Sequence, residues 1–260
     1  MIKKRGSLKI FLAVQNALFL RELSMRFSSG RMGMFWTFFE PFFQIFIFVL
    51  IKMMLFGSGD NDFDFAVFLA LNFTAFNLFK NIVVKSIASF KANKALFLYK
   101  QVKPIDTIIA RSLVEIFITM TIITIFLFLG FYFDFDISIK DLTMVVFGFI
   151  YLIIFSLSLG IFLAVINVFV DSVSKLINFS MTALMFSSAV FYSVDRLPLD
   201  LQNILSYNPL LHFMEIIHGF YFEALDDSFV SYQYISIWTL SLLYIGLWLY
   251  VKLENRIISL

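Results

Sequence analysis

Few residues in this chain could act on a substrate, and several of those stand inside apolar runs. Residues 30–48 read GRMGMFWTFFEPFFQIFIF, eight aromatic rings in nineteen positions, with one carboxylate, Glu40, beside Pro41. At helical spacing Phe35, Phe39, Phe42 and Phe46 form one stripe, and Trp36, Glu40 and Phe43 its neighbour. Asn77, Lys80 and Asn81 share a face at i, i+3 and i+4, and Arg111 and Glu115 stand four apart, spaced to pair. A charge at bilayer depth costs roughly 2.5–3.5 kcal/mol on insertion scales, so such groups usually face protein or water. Lys80 and Arg111 could also snorkel from helix ends. Glu40 has no such escape. It lies eight residues past Met32, about 12 Å along a helix. Pro41 deprives a carbonyl one turn earlier of its donor. Both suit a helix lining a protein interior or a wet passage, against the plainer reading of a lipid-facing helix in a chain with 37 Phe. Rings with a few polar groups between them are what a sliding sugar chain would stack on.

Other chemistries are excluded. There is no Cys, so no thiol or thiolate metal site, and His212 and His218 are the only histidines. No Gly-x-x-x-x-Gly-Lys-Ser/Thr occurs, so the chain does not itself cradle ATP phosphates, and Gly-x-Ser-x-Gly, His-Glu-x-x-His and Cys-x-x-Cys are also missing. GSGDNDFD (57–64) lacks the remaining positions of a calcium loop and reads as a solvated turn. No catalytic residue, metal or cofactor is expected.

The elements that must position these residues are membrane helices. The chain is 61% hydrophobic and 15% charged over 260 residues, too apolar for a soluble core. Six apolar stretches read as spans at about 33–56, 65–88, 105–132, 142–169, 175–194 and 232–252. Residues 195–231 differ, because their apolar part, 209–222, has 14 residues and is too short to cross. A re-entrant or interfacial helix is expected there. Residues 1–31 carry seven Lys/Arg, and Lys80, Lys85, Lys91, Lys94, Lys100, Lys103 and Arg111 cluster around the second connection. The other side is acidic, with Asp134, Asp136, Asp195, Asp200 and Asp226 among its residues. The positive-inside rule then makes both termini cytoplasmic, in agreement with an even span count. Residues 8–28 read as a helix on the cytoplasmic interface, with Arg21, Arg26 and Arg31 near lipid phosphates. Within 89–106, Lys91, Lys94 and Lys100 surround an apolar patch. A short amphipathic helix there would present Leu96, Phe97 and Tyr99 to a partner groove. No internal repeat is visible. The expectation is an all-α, six-span membrane protein, with 1–31 as the interface helix and 32–260 as the transmembrane domain.

Three stretches resemble one family. RELSMRFSSGRMGMFWTFFEP (21–41) is similar to the entry of ABC-2 type export permeases. MFSSAVFYSVDRLP (185–198) resembles the end of their fifth span, and NPLLHFMEIIHGFYF (208–222) their re-entrant segment. Within that family the chain looks most like the permease of capsular-polysaccharide export, with O-antigen exporters next. Two positions depart. His218 stands where the family often has Arg, and Val170 precedes Asp171 where a basic residue is common.

The resemblance implies a homodimer around a central canal and two copies of a cytoplasmic ABC ATPase, docked through 91–103 and the N-terminal region. The expected cargo is a lipid-linked polysaccharide crossing a bacterial inner membrane toward periplasmic and outer-membrane export proteins. No nucleic acid is expected as a partner. By position, Phe39, Glu40, Pro41 and Phe43 would shape the entrance, and Phe191 and Tyr192 would lie near the exit. Asn208, Pro209 and Leu210 would anchor the re-entrant turn. The alternatives are a permease for O-antigen, teichoic acid or a drug, or a membrane-embedded glycolipid enzyme, which would need acids or metal ligands clustered at one depth.

Overall fold

The computed structural model describes residues 7–28, 31–56 and 64–259. The side chains of 28, 31–34, 55 and 56 lie outside that description, so Arg31 and most of the acidic turn 57–64 are not discussed further. Among the described residues every regular element is helical. The long helices are α1 (Ser7–Ser28), α2 (Arg31–Phe56) and α3 (Phe65–Ile87). A short α4 (Ser89–Ala92) and a 3-10 turn (Lys94–Leu98) lead to α5 (Pro104–Tyr132) and α6 (Leu142–Phe169). Then come α7 (Ser172–Ser187), the short α8 (Leu199–Leu205), α9 (Pro209–Tyr221) and α10 (Tyr232–Ile258).

Several helix starts are written in the sequence. Asp64 accepts from the amides of Ala66 (2.9 Å) and Val67 (3.5 Å), and Asp141 accepts from Met144 (3.1 Å). Asn208 accepts from Leu210 (3.0 Å), with Pro209 in the first helical turn. Each such cap contributes about 1 kcal/mol. Asp64 and Asp141, two of the residues that make one side acidic, are thus also the residues that start α3 and α6.

The centre of the bundle is α3, packed on α5 and α6, while α6 also receives α10 and α9. Small residues set two of these contacts. A Cβ on Gly160 would stand 2.8 Å from Ser86 Oγ, and one on Gly246 3.1 Å from the Phe162 amide nitrogen. Without side chains there, α3, α6 and α10 approach nearly backbone to backbone. Five helices, α2, α3, α5, α6 and α10, are long and apolar enough to cross a membrane. The expected fifth span, 175–194, is a helix only to Ser187, at 16 residues. A turn with Ala189 at φ 55° ends it. Ser188, Ala189, Val190 and Ser193 continue as buried irregular chain, which is tolerated at membrane depth where protein encloses it. At the other limit, α10 runs six residues past the expected 252.

The pairing inside the basic cluster differs from the expected one. Arg111 does not pair with Glu115. Its Nε lies 3.2 Å from Glu22 Oε2 on α1, and its Nη1 donates to the Lys85 carbonyl (3.1 Å). Glu115, 2% exposed, instead takes Lys85 of α3, with Arg26 Nη2 at 3.7 Å. Arg21 bonds Glu22 (2.9 Å) and Asn93. Arg21 and Arg26, expected near lipid phosphates, thus both contact acids of the protein. The physical reason is that a carboxylate as buried as Glu115 must be matched locally. Helix α1 meets α5 through Val14, Leu18 and Ala110, while Leu8, Leu12 and Leu20 stay exposed.

The short segment after α8 is a buried helix. Of its thirteen residues, α9 buries eleven against α3, α6 and α10. Phe213 stacks on Phe155 at 4.8 Å. Asn208 Nδ2 donates to Ser187 O (3.1 Å) and Ser188 Oγ (2.8 Å), locking the α9 turn to the end of α7. Glu215 is fully buried, and its Oε1 accepts from the Val194 amide (2.9 Å). Its Oε2 lies 3.0 Å from His218 Nε2, close but not aligned for a hydrogen bond. His218 Nδ1 is 3.3 Å from Asn72 Oδ1 on α3. His218 thus helps join α9 to α3.

Two outcomes follow from this packing. Glu115→Ala leaves Lys85 without its acid and should cost about 3–5 kcal/mol, read as a lowered melting midpoint of the detergent-solubilised protein. Glu215→Ala strips the acceptor from a buried amide and should cost about 3 kcal/mol. Glu215→Gln keeps that acceptor and should recover most of the loss. Equal midpoints for the two Glu215 variants would show that the Val194 bond contributes nothing.

Candidate functional site

The aromatic run becomes one continuous helix, and its rings sort differently from the expected stripes. Phe35, Phe39 and Phe43 form a ladder, stacked at 4.8 Å and 5.6 Å with Trp36 edge-on to Phe39 at 5.6 Å. Phe42 leaves that stripe to meet Phe126 of α5 at 4.5 Å. Neighbouring α5 takes it because α2 packs with one narrow face only. The span of α2 is 11% buried where that of α3 is 61% buried. Phe35, Trp36 and Phe43 are about half exposed, Pro41 is buried, and Glu40 is exposed.

Beside this wall lies a pocket of about 330 Å³. Trp36, Glu40 and Pro41 form its α2 side. Thr74, Asn77, Lys80 and Asn81 form its α3 side, Thr119 and two isoleucines come from α5, and Arg26 reaches in from α1. Asn77 Nδ2 donates to Gln44 Oε1 at 3.2 Å, which ties α3 to α2 next to the pocket. Among the described residues neither Glu40 nor Lys80 has an ion-pair partner. The structure thus brings together Trp36, Glu40, Pro41 and Lys80, which the sequence had suggested separately.

Phe191 and Tyr192 stand toward the other end of the bundle. Phe191 meets Phe48 of α2 at 4.6 Å and Phe73 of α3 at 5.4 Å, and the Tyr192 hydroxyl donates to the Phe186 carbonyl (3.1 Å). Nearby, burial first and then the carboxylates of Glu215 and Asp226 raise the Asp195 carboxyl above its ordinary pKa. Asn208, Pro209 and Leu210 hold the α9 turn as described. Glu215 was not singled out from sequence. Its signal was an acid inside the 14-residue apolar stretch, three positions before His218.

The basic loop departs from expectation in one respect. It folds as α4 and a 3-10 turn rather than one amphipathic helix. Phe97 points inward, 7% exposed, into a cluster with Phe90 and Ile108, and Leu96 packs against the same cluster. The apolar residues presented outward are Leu98, 86% exposed, and Tyr99, 66% exposed. The tighter turn explains the shift, since three residues per turn place Leu98 and Tyr99 where a regular helix would have placed others. Lys94 and Lys100 flank them in the open. Lys91 pairs with Asp171 at the start of α7.

Residues 15–222 match the ABC-2 type transporter family. The chain is 30% identical over 255 residues to the polysialic acid transport protein KpsM of Escherichia coli, covering 98% of this chain and 99% of that one. It is 25% identical over 243 residues to the capsule polysaccharide export inner-membrane protein BexB of Haemophilus influenzae, covering 94% and 92%. To the capsule polysaccharide export inner-membrane protein CtrC of Neisseria meningitidis serogroup B it is 23% identical over 251 residues, covering 96% and 95%. With most of its length matched and five helices able to cross a bilayer, the chain belongs to the ABC-2 type transporter family of membrane proteins.

Proposed function

We propose that this chain is the membrane subunit of an ATP-driven exporter that moves a lipid-linked capsular polysaccharide outward across the bacterial inner membrane. Two copies pair around a shared conduit, and each carries a separate cytoplasmic ATPase subunit. The observation that carries this reading is Glu40. It is an exposed carboxylate on a membrane helix, without an ion-pair partner among the described residues, in a wall of half-exposed rings. Lipid is a costly neighbour for it. A water-filled, ring-lined passage completed by a second copy is a favourable one. The substrate class is supported by the polysaccharides that the relatives are named for and by the fit of stacked rings to pyranose faces.

In this reading six spans cross the membrane. α7 is completed by 188–194, and both termini lie in the cytoplasm. Lys94, Leu98, Tyr99 and Lys100 receive the ATPase, combining apolar anchors with flanking charge. ATPase closure rocks the two permease halves and advances the polymer from the α2 entrance past Phe191 and Tyr192. The chain supplies passage and coupling, and ATP hydrolysis takes place on the partner.

Glu40→Ala should reduce surface polysaccharide by about tenfold, the size of a lost 1.4 kcal/mol of preferential binding, with the protein still inserted. Unchanged capsule, measured by antibody binding to whole cells, would remove Glu40 from the mechanism. Charge reversal at Lys94 and Lys100 together should cut ATPase co-purification several-fold and make the remainder more sensitive to salt. Full recovery of the complex would mean that the ATPase docks elsewhere.

A further inference from the structure

The pocket beside α2 has a chemical polarity that transport of a sugar chain alone does not require. Two cations and one carboxylate line it: Arg26, Lys80 and Glu40. Lys80 has no acid among the described residues, and Asn81, one position on and lining the same pocket, has no hydrogen-bond partner among them. Arg26 Nη2 stands 3.7 Å from Glu115 Oε2, too far for a hydrogen bond, while Lys85 holds the other oxygen. The Arg26 Nε is buried and has no acceptor. Unused donors of positive charge therefore line the pocket's α1 and α3 sides. The α2 side holds Glu40, which accepts from hydroxyls, and the Trp36 ring, which takes a C–H face. At about 330 Å³ the pocket has room for a short piece of glycan.

We propose that Lys80, with Asn81 and Arg26, is an oxyanion subsite that binds an acidic group of the exported molecule, with the sugar hydroxyls turned to Glu40. The acid is either a carboxylate on the glycan or the phosphate of its lipid anchor. This rests on the reading of the α2 groove as the passage. An anion placed near Glu40 would be repelled, so the order is fixed: acid on α3, hydroxyls on α2. Charged donors to a carboxylate or phosphate contribute more than neutral ones. That preference would let the entrance select acidic polymers over neutral ones.

The test uses the full-length chain in phosphatidylcholine nanodiscs, with Trp238 and Trp248 replaced by Phe so that Trp36 alone reports. Three probes are titrated: trigalacturonic acid, neutral maltotriose and glycerol phosphate. Trigalacturonic acid should quench Trp36, Lys80→Gln should weaken it by about tenfold, and Lys80→Arg should restore it. Asn81→Ala, a milder change, should weaken it several-fold and serves if Lys80→Gln fails to fold. Lys80-dependent binding of glycerol phosphate alone would assign the acid to the lipid anchor and still support the subsite. Trigalacturonic acid and maltotriose binding equally, and unchanged in Lys80→Gln, would overturn the subsite and leave the passage standing. If no probe moved Trp36 and Glu40→Ala cells also kept their capsule, the passage reading would fall with it.

Discussion

The bilayer interior offers no water to an ionisable side chain, and this constraint organises the protein. Burying a charge without a partner costs several kcal/mol, so each one must be matched by protein or kept near a wet surface. At the basic end the matching is dense. Glu115 takes Lys85 with Arg26 close by, and Glu22 takes Arg111 and Arg21. These contacts join α1, α3 and α5 by charge as well as by apolar packing. Toward the other end Glu215 is matched by an amide and stands beside a histidine, and so fixes α9 inside the bundle. Against that background Glu40 and Lys80 stand out as the charges left open on facing walls of one pocket.

The same constraint explains why irregular chain can sit deep in the molecule. After Ser187 the backbone leaves the helix, and its polar groups need partners. Asn208 supplies donors to Ser187 and Ser188, and Glu215 accepts from Val194. The segment that shortens α7 is thus held by the first turn and the middle of α9. One pair of polar residues on α9 makes this irregular stretch possible, and it positions Phe191 against α2 and α3. The Asn-Pro-Leu turn and the break in α7 are one structural device.

Much of this was legible in the sequence. Runs of about twenty apolar residues located five long helices to within a few residues, because backbone satisfaction in lipid forces helix wherever apolar chain is long enough. The 14-residue apolar stretch from Pro209 announced α9, and Glu40 announced an unusual wall. Partner identity was not legible. Arg111 and Glu115 are spaced to pair on an isolated helix, yet each found a stronger partner on another helix, and one-dimensional spacing carries no record of that. The stripes on α2 misassigned Phe42 because periodicity says which residues share a face, not which face meets α5. Phe97 and Leu98 exchanged roles because a 3-10 turn replaced an α-turn, a difference of a few tens of degrees that propensity does not resolve.

Connectivity gives the basic end a second meaning. The exposed Leu98 and Tyr99 follow Phe97 and Asn93 in one tight unit, and Asn93 holds Arg21 of α1. Five residues along α1, Arg26 lines the pocket and touches Glu115. A load applied to the 94–100 surface therefore has a packed and charged route into α1, and α1 reaches the cations of the pocket. The route needs no flexible linker, because Arg21 and Arg26 lie on one helix and both are engaged by protein. In the proposed mechanism α1 would act as a lever between the proposed ATPase surface and the Lys80 wall, a part that the proposed rocking motion requires.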